Sequence, residues 1–331
     1  MTMEQQNVAA GGQPVLQVRD LKKYYPTGSG GAFGKPKKML HALDGVSFEV
    51  RRGEILGIVG ESGCGKSTLG RCVLRLVDIT GGSVVFEGRD ITSLPRAALK
   101  NCRRDMQMIF QNPYSSFDPK QSIGSALREV GQVHGQSRQQ TEDRIRELLE
   151  DISLPEDILL RSPGELSGGQ LQRLAIARAL LLDPHFIVAD EAVSALDVSV
   201  QAQILNLIVD LRQKLSMTMM FISHDMTVVE HTCDTVAVMY LGRIVEMAPT
   251  AELFANVLHP YTQALLSAIP KADPDLEKQR IILEGDVQSA IDLPKGCRFA
   301  SRCRRCTEQC RQSEPELRDF GGGHRAACHL L

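Results

Sequence analysis

The chain has 331 residues, of which 43% are apolar and 24% charged, with a formal net charge of −2. It is longer than one average domain, its composition excludes a disordered chain, and its near-neutral charge excludes a broadly nucleic-acid-binding surface. Met1 to Pro14 lack a basic region followed by an apolar core, so a secretory signal is not expected and a cytosolic location follows.

Short strands are expected at Leu16 to Val18, Val46 to Val50 and Glu54 to Val59. The glycine-rich, basic stretch Thr27 to Lys38 reads as a solvated hairpin connection. After the third strand comes Gly60-Glu-Ser62-Gly63-Cys64-Gly65-Lys66-Ser67-Thr68, followed by a helix opening near Gly65. Its G-x-x-x-x-G-K-[ST] pattern between strand and helix is that of a phosphate-binding loop. The glycines let backbone N–H groups converge on phosphates, Lys66 neutralises their charge, Ser67 can ligate magnesium, and the helix N-terminus adds a favourable dipole. A glycine-rich turn without nucleotide is the plainer reading of such a motif, and the flanking strand and helix argue against it. Cys64, at a helix start that would lower a thiol pKa, reads as a tolerated small residue.

Farther along, a strand at Met106 to Phe110 precedes Gln111, and helical periodicity marks Ile123 to His134 and Gln139 to Leu149 as a helical subdomain spanning about 112–182. Leu166-Ser167-Gly168-Gly169-Gln170 opens another helix, as a local cap or as a phosphate grip. No run, not even Leu174 to Val188, reaches the roughly 18 to 20 apolar residues of a membrane span, so any membrane role is expected to be peripheral. Strand Phe186 to Ala189 ends in Asp190 and Glu191, then come helix Val198 to Leu215, strand Thr218 to Ile222 and His224. This βαβ order predicts a parallel sheet and an α/β fold. Asp190 suits a magnesium contact, and Glu191 suits the base that deprotonates an attacking water. Helices near Ala251 to Asn256 and Tyr261 to Ala268 close a domain at 1–269, with an extension from about Pro270 to the end, 270–331.

The ordered set resembles the ABC ATPases. Leu166 to Gln170 is similar to their signature sequence, Ser194-Ala195-Leu196-Asp197 to the D-loop, His224 to the switch histidine and Gln111 to the Q-loop glutamine. Asp20-Leu-Lys-Lys-Tyr24-Tyr25 is similar to the A-loop; Tyr25 aligns best with the aromatic that stacks on adenine, and Tyr24 is the alternative. The resemblance implies a P-loop core with a parallel sheet, an antiparallel β subdomain and a helical subdomain. It implies ATP with Mg2+ held by Ser67, Gln111 and Asp190, and Glu191, His224 and Gln111 in catalysis. It also implies that Ser167, Gly168, Gly169, Gln170 and Asp197 serve a nucleotide sandwiched between two subunits.

Met108 to Pro119, Ser194 to Gln203, Val238-Met-Tyr-Leu-Gly242 and His259-Pro-Tyr-Thr262 look like the oligopeptide and dipeptide importers, and most like the second of their paired ATPases. Such importers combine two different ATPases, two membrane permeases and an extracytoplasmic binding protein at the cytoplasmic face of the bacterial inner membrane, without nucleic acid. Related importers carry nickel, glutathione or other small solutes. Soluble ABC ATPases acting on DNA or the ribosome generally carry coiled-coil insertions or a second cassette, and neither is visible here. Two departures from the family pattern are Ala192, where proline is usual and whose absence could loosen the turn after Glu191, and Gly164, where histidine is common.

Five of the nine cysteines crowd into the end of the chain, which marks a separate unit. Cys297, Cys303, Cys310 and Cys328 match the cysteines that bind a [4Fe–4S] cluster in the peptide importers, and Cys306 is extra. Intervals of five, six and seventeen residues separate the four, unlike the two close pairs of a zinc ribbon, although zinc and unligated cysteines remain the alternatives. Seven arginines against four acidic residues from Gly296 onward would partly offset a cluster's negative charge, and a structural or redox-sensing role is expected because nothing in the sequence places this tail beside ATP.

Overall fold

A computed structural model of the chain describes residues 13–27, 38–269, 280–285 and 288–331. The interior of the basic Thr27 to Lys38 connection and the proposed boundary at Pro270 lie outside the described residues. Strands β1 (Leu16–Thr27) and β2 (Lys38–Val50) pair antiparallel and lead to β3 (Ile55–Val59), helix α1 (Lys66–Val73) and strands β4 (Gly81–Phe86) and β5 (Arg89–Asp90). These make a four-stranded antiparallel sheet, β2-β1-β4-β5, from which β3 is excluded. β1 runs well past Val18, because register shifts between Val18 and Leu21 and again before Tyr24 break the alternation that would reveal a longer strand.

The chain continues through α2 (Arg96–Asp105), β6 (Met106–Ile109), α3 (Ile123–Val133), α4 (Arg138–Asp151), α5 (Gly168–Leu180), β7 (Phe186–Asp190), α6 (Val198–Leu215), β8 (Thr218–Ile222) and α7 (Met226–Thr232). Then come β9 (Thr235–Tyr240), β10 (Arg243–Pro249), α8 (Thr250–Ala255), α9 (Pro260–Ser267), α10 (Glu308–Gln312), β11 (Arg318–Asp319) and β12 (Arg325–Ala326). Among the described residues the second sheet has eight strands in the order β11-β12-β10-β9-β3-β8-β7-β6. β9, β3, β8, β7 and β6 run parallel, as the βαβ order requires.

Both faces of the parallel strands are buried, which explains their unbroken apolar runs. Ile55, Ile187, Ala189, Met219 and Phe221 face one core, shared with α5 and the helical subdomain. Leu56, Ile58, Phe186, Val188, Met220 and Ile222 face the other, shared with α1 and the antiparallel sheet. In the helical subdomain, Ser122 and Ser137 cap α3 and α4, and the apolar face of these helices, Ile123, Leu127, Ile145, Leu148 and Leu149, packs onto Leu171 and Leu174 of α5.

The cysteine-rich tail, which its composition marked as a separate unit, extends the large sheet. β12 pairs with β10, joining Glu246 to Ala326, and His324 Nε2 lies 2.9 Å from the fully buried Glu246 carboxylate. Phe299, buried, stacks edge-on to Tyr240 with centroids 5.3 Å apart and tilts against Tyr261 at 5.4 Å. Among the described residues, no helix is long and apolar enough to cross a membrane.

Candidate nucleotide site and cysteine-rich tail

The phosphate-binding loop leaves the end of β3 in the middle of the sheet and enters α1. Gly65, at φ +110°, must be glycine: a Cβ there would lie 2.4 Å from the Ala42 carbonyl oxygen. Lys66, buried, donates from Nζ to the carbonyl oxygens of Gly60 at 2.7 Å and Glu61 at 3.1 Å, spanning the loop. Ser67 Oγ donates to Asp190 Oδ1 at 2.8 Å, joining the start of α1 to the end of β7. Burial raises the Asp190 carboxyl above its ordinary range, against the lowering effect of Ser67 and Arg71, and a cation here would favour its charged form. Magnesium prefers hard oxygen ligands, and this serine–aspartate pair fits it.

Glu191 follows at the tip of β7 with φ +49°. Its amide donates to Ile222 at 3.0 Å, and its carbonyl accepts from Ser194 N at 3.1 Å and Ser194 Oγ at 3.0 Å. Those bonds span the turn in which Ala192, buried, stands at the position where proline is usual. Gln111 Nε2 donates to Glu191 Oε2 at 2.8 Å, and His224 Nδ1 lies 3.6 Å from Oε1. Lys66, Ser67, Gln111, Asp190, Glu191 and His224 therefore meet at one end of the parallel sheet, where ligands bind in open α/β folds.

The two aromatic candidates divide. Tyr24 donates its hydroxyl to Asp44 and lies against His41 with centroids 4.2 Å apart; burial and Asp44 push its pKa up to about 12. Tyr25 instead sits beside Thr68, Arg71 and Cys72 of α1 with Lys23 over its ring at 4.6 Å. Cys64 is buried, and burial pushes its thiol pKa up despite Lys66, so a reactive thiolate in the loop is ruled against.

Ser167 and Gln170 form a reciprocal cap at the start of α5: Gln170 N donates to Ser167 Oγ at 3.3 Å, and Ser167 N to Gln170 Oε1 at 3.0 Å. Ser167 is nonetheless exposed, as is Asp197 at the start of α6, and neither is hydrogen-bonded to the phosphate loop. Gly168 faces Leu196 and Gly169 faces Val200, so the signature lies against the D-loop and the start of α6.

Sequence reasoning missed the scaffold beneath the loop. Gly242 N donates to the Cys64 carbonyl at 2.8 Å, and Glu61 N donates to Tyr261 Oη at 2.8 Å. The Val238–Gly242 and His259–Thr262 segments thus brace the phosphate loop. Arg298 of the tail donates to Asp44 and to the Leu241 carbonyl, and Arg302 pairs with Glu61 inside the loop at 2.7 Å. The expectation that nothing places the tail beside ATP is corrected: more than 200 positions separate Arg302 from Glu61, and only the fold joins them.

Within the tail a backbone bond joins two of the cysteine positions. Cys297 N donates to the Cys310 carbonyl at 2.7 Å, and burial pushes the Cys297 thiol up to about 11, with Cys310, Cys328 and Cys303 adding to the rise. Cys303 is raised by burial and by Cys328, Cys306 and Cys310. Among the described residues, no three His, Cys, Asp or Glu side chains stand close enough to hold a single metal ion.

The ABC transporter family matches residues 43–194, and the oligopeptide/dipeptide transporter C-terminal region matches residues 245–310, which stops short of Cys328. A putative peptide import ATP-binding protein of Brucella ovis is 49% identical over 95% of this chain and 97% of its own length. The dipeptide transport ATP-binding protein DppF of Escherichia coli is 47% identical over 94% of this chain and 92% of its own. Among solved structures, the dimeric ATP-binding cassette MJ0796 bound to ADP and phosphate matches with TM-score 0.63 and 27% identity, over 71% of this chain and 98% of that one.

Proposed function

This chain belongs to the ABC transporter family, with the C-terminal region of the oligopeptide/dipeptide transporters, and from that premise we propose that it is the ATPase of a peptide importer at the cytoplasmic face of the inner membrane. The observation that carries the catalytic part is the meeting of Ser67, Asp190, Glu191, Gln111 and His224 around one loop. ATP hydrolysis coupled to transport follows from the family. In the proposed mechanism Lys66 and the loop amides bind the β- and γ-phosphates, and Tyr25 stacks on the adenine. Ser67 and Asp190, together with Gln111, would hold magnesium, which would supply charge neutralisation of the phosphates when bound. Glu191 Oε orients the attacking water and takes its proton, while His224 faces the γ-phosphate.

The Ser167 to Gln170 segment, with Ser167 exposed, would complete the site of a second, different ATPase, and two permeases with an extracytoplasmic binding protein would supply the cargo. The relatives' names favour peptides over nickel, glutathione or other solutes, and favour transport over work on DNA or ribosomes. Reconstitution in liposomes tests this reading. The lone chain should turn over slowly, and hydrolysis should rise on adding partner ATPase and permeases, and again with peptide-loaded binding protein. A lone chain as fast as the assembled transporter would sink the two-subunit site.

For the tail, the finer reading is a [4Fe–4S] cluster on Cys297, Cys303, Cys310 and Cys328. What supports it is the match of these four cysteines, at intervals of five, six and seventeen residues, to those of the peptide importers, with zinc as the alternative for four soft sulfur ligands. Protein purified without oxygen should be brown, with iron and sulfide each near about four per chain. A colourless protein with one zinc would overturn the cluster and leave the ATP site as described.

A further inference from the structure

Arg302 ends the first turn of the tail, a turn closed by Ala300 N to Cys297 O at 3.0 Å and Arg302 N to Phe299 O at 3.1 Å. From there its guanidinium grips Glu61 with two prongs, Nη1 to Oε2 at 2.7 Å and Nη2 to Oε1 at 3.1 Å, and also reaches Tyr240 Oη at 3.5 Å. Its side chain is only 8% exposed, and the bonds to Glu61 raise its pKa, so the charge is permanent. Glu61 is an awkward residue for its place. It follows Gly60 in a loop whose work is to receive a triphosphate, and its carbonyl shares Lys66 Nζ with that of Gly60. An unpaired carboxylate there would repel the ligand through a partly desolvated medium, where Coulomb terms are larger than in water.

We infer that Arg302 is a positioning residue of the ATP site, which cancels the Glu61 charge and, with Tyr261 on the Glu61 amide, fixes the loop for a triphosphate. The cysteine-rich tail is thereby part of the nucleotide-binding apparatus. Its thiols lie one bond network away from the phosphates, since Arg302 directly precedes Cys303. Arg298, which follows Cys297, makes the parallel attachment to Asp44 and so to Tyr24.

This inference rests on the ATP-site reading above, and its test separates the two. Binding of N-methylanthraniloyl-ATP with Mg2+ is measured by fluorescence on the full-length chain. Arg302→Gln keeps the inner stem and a donor amide and removes the charge together with the fork; its Kd should rise about 10-fold. Arg302→Lys, which keeps the charge but not the fork, should weaken binding less than Arg302→Gln does. Adding Glu61→Gln to Arg302→Gln should bring Kd back to within about 3-fold, because no charge is left to repel the phosphates. Unchanged binding by Arg302→Gln, or a double variant as weak as the single one, would overturn the inference and leave Arg302 a mere tail fastener. Failure of the starting protein to bind the nucleotide would overturn the ATP-site reading and this inference with it.

Discussion

Replacing Glu191 with glutamine should leave ATP binding in place and lower turnover of the assembled transporter by at least about 10²-fold, the scale of a lost general base. The substitution keeps the shape and the contacts that hold the residue. The backbone bonds to Ile222 and Ser194 do not involve the side chain, and the amide oxygen can still accept from Gln111 Nε2, now 2.8 Å away. What disappears is a carboxylate able to accept the water's proton. Single-turnover hydrolysis separates this from a binding defect, because the nucleotide should accumulate on the protein uncleaved. Near-normal steady-state hydrolysis would remove Glu191 from the mechanism and shift attention to His224, whose Nδ1 is 3.6 Å from the same carboxylate.

The route from residues to this site was legible where the chemistry is local. β3 with its glycine loop and α1 announces itself by spacing. β7 and β8 read as apolar runs because strands buried on both faces have no polar alternation to blur them. Legibility fails where the partner lies far along the chain. β12, with only two residues, offers no periodicity, and it becomes a strand because β10 presents Glu246 and Met247 for pairing. α2 has few apolar residues in RAALKNCRRD, and Leu99 and Cys102 are what bury it. The A-loop segment lies on β1, where bulges disguise the strand while turning Tyr24 and Tyr25 to different neighbours. The pairing of Glu61 with Arg302 had no sequence signal, since each residue looks like an ordinary charge until the fold brings them together.

Gly168→Asp should produce a loss of the opposite kind, with turnover of the assembled pair falling by about 10²-fold, as for a lost set of phosphate-stabilising donors, while the isolated chain still binds ATP at Lys66. Position 168 suits this test. A Cβ there would meet only Leu196, at an ordinary 3.5 Å, whereas at Gly169 it would press on Val200 at 2.6 Å. Aspartate in the first turn of α5 also complements the helix dipole, so the fold should not suffer. The new carboxylate would instead face the γ-phosphate that Ser167 and the Gly168 amide are proposed to grip on the partner subunit. Glu191→Gln and Gly168→Asp on the same chain thus damage two different nucleotide sites, one its own and one the partner's. Photolabelling with an azido-ATP should show nucleotide retained on this chain in both variants. Loss of ATP binding by the isolated Gly168→Asp chain would mean that the signature serves its own phosphate loop, and the two-subunit sandwich would have to be abandoned.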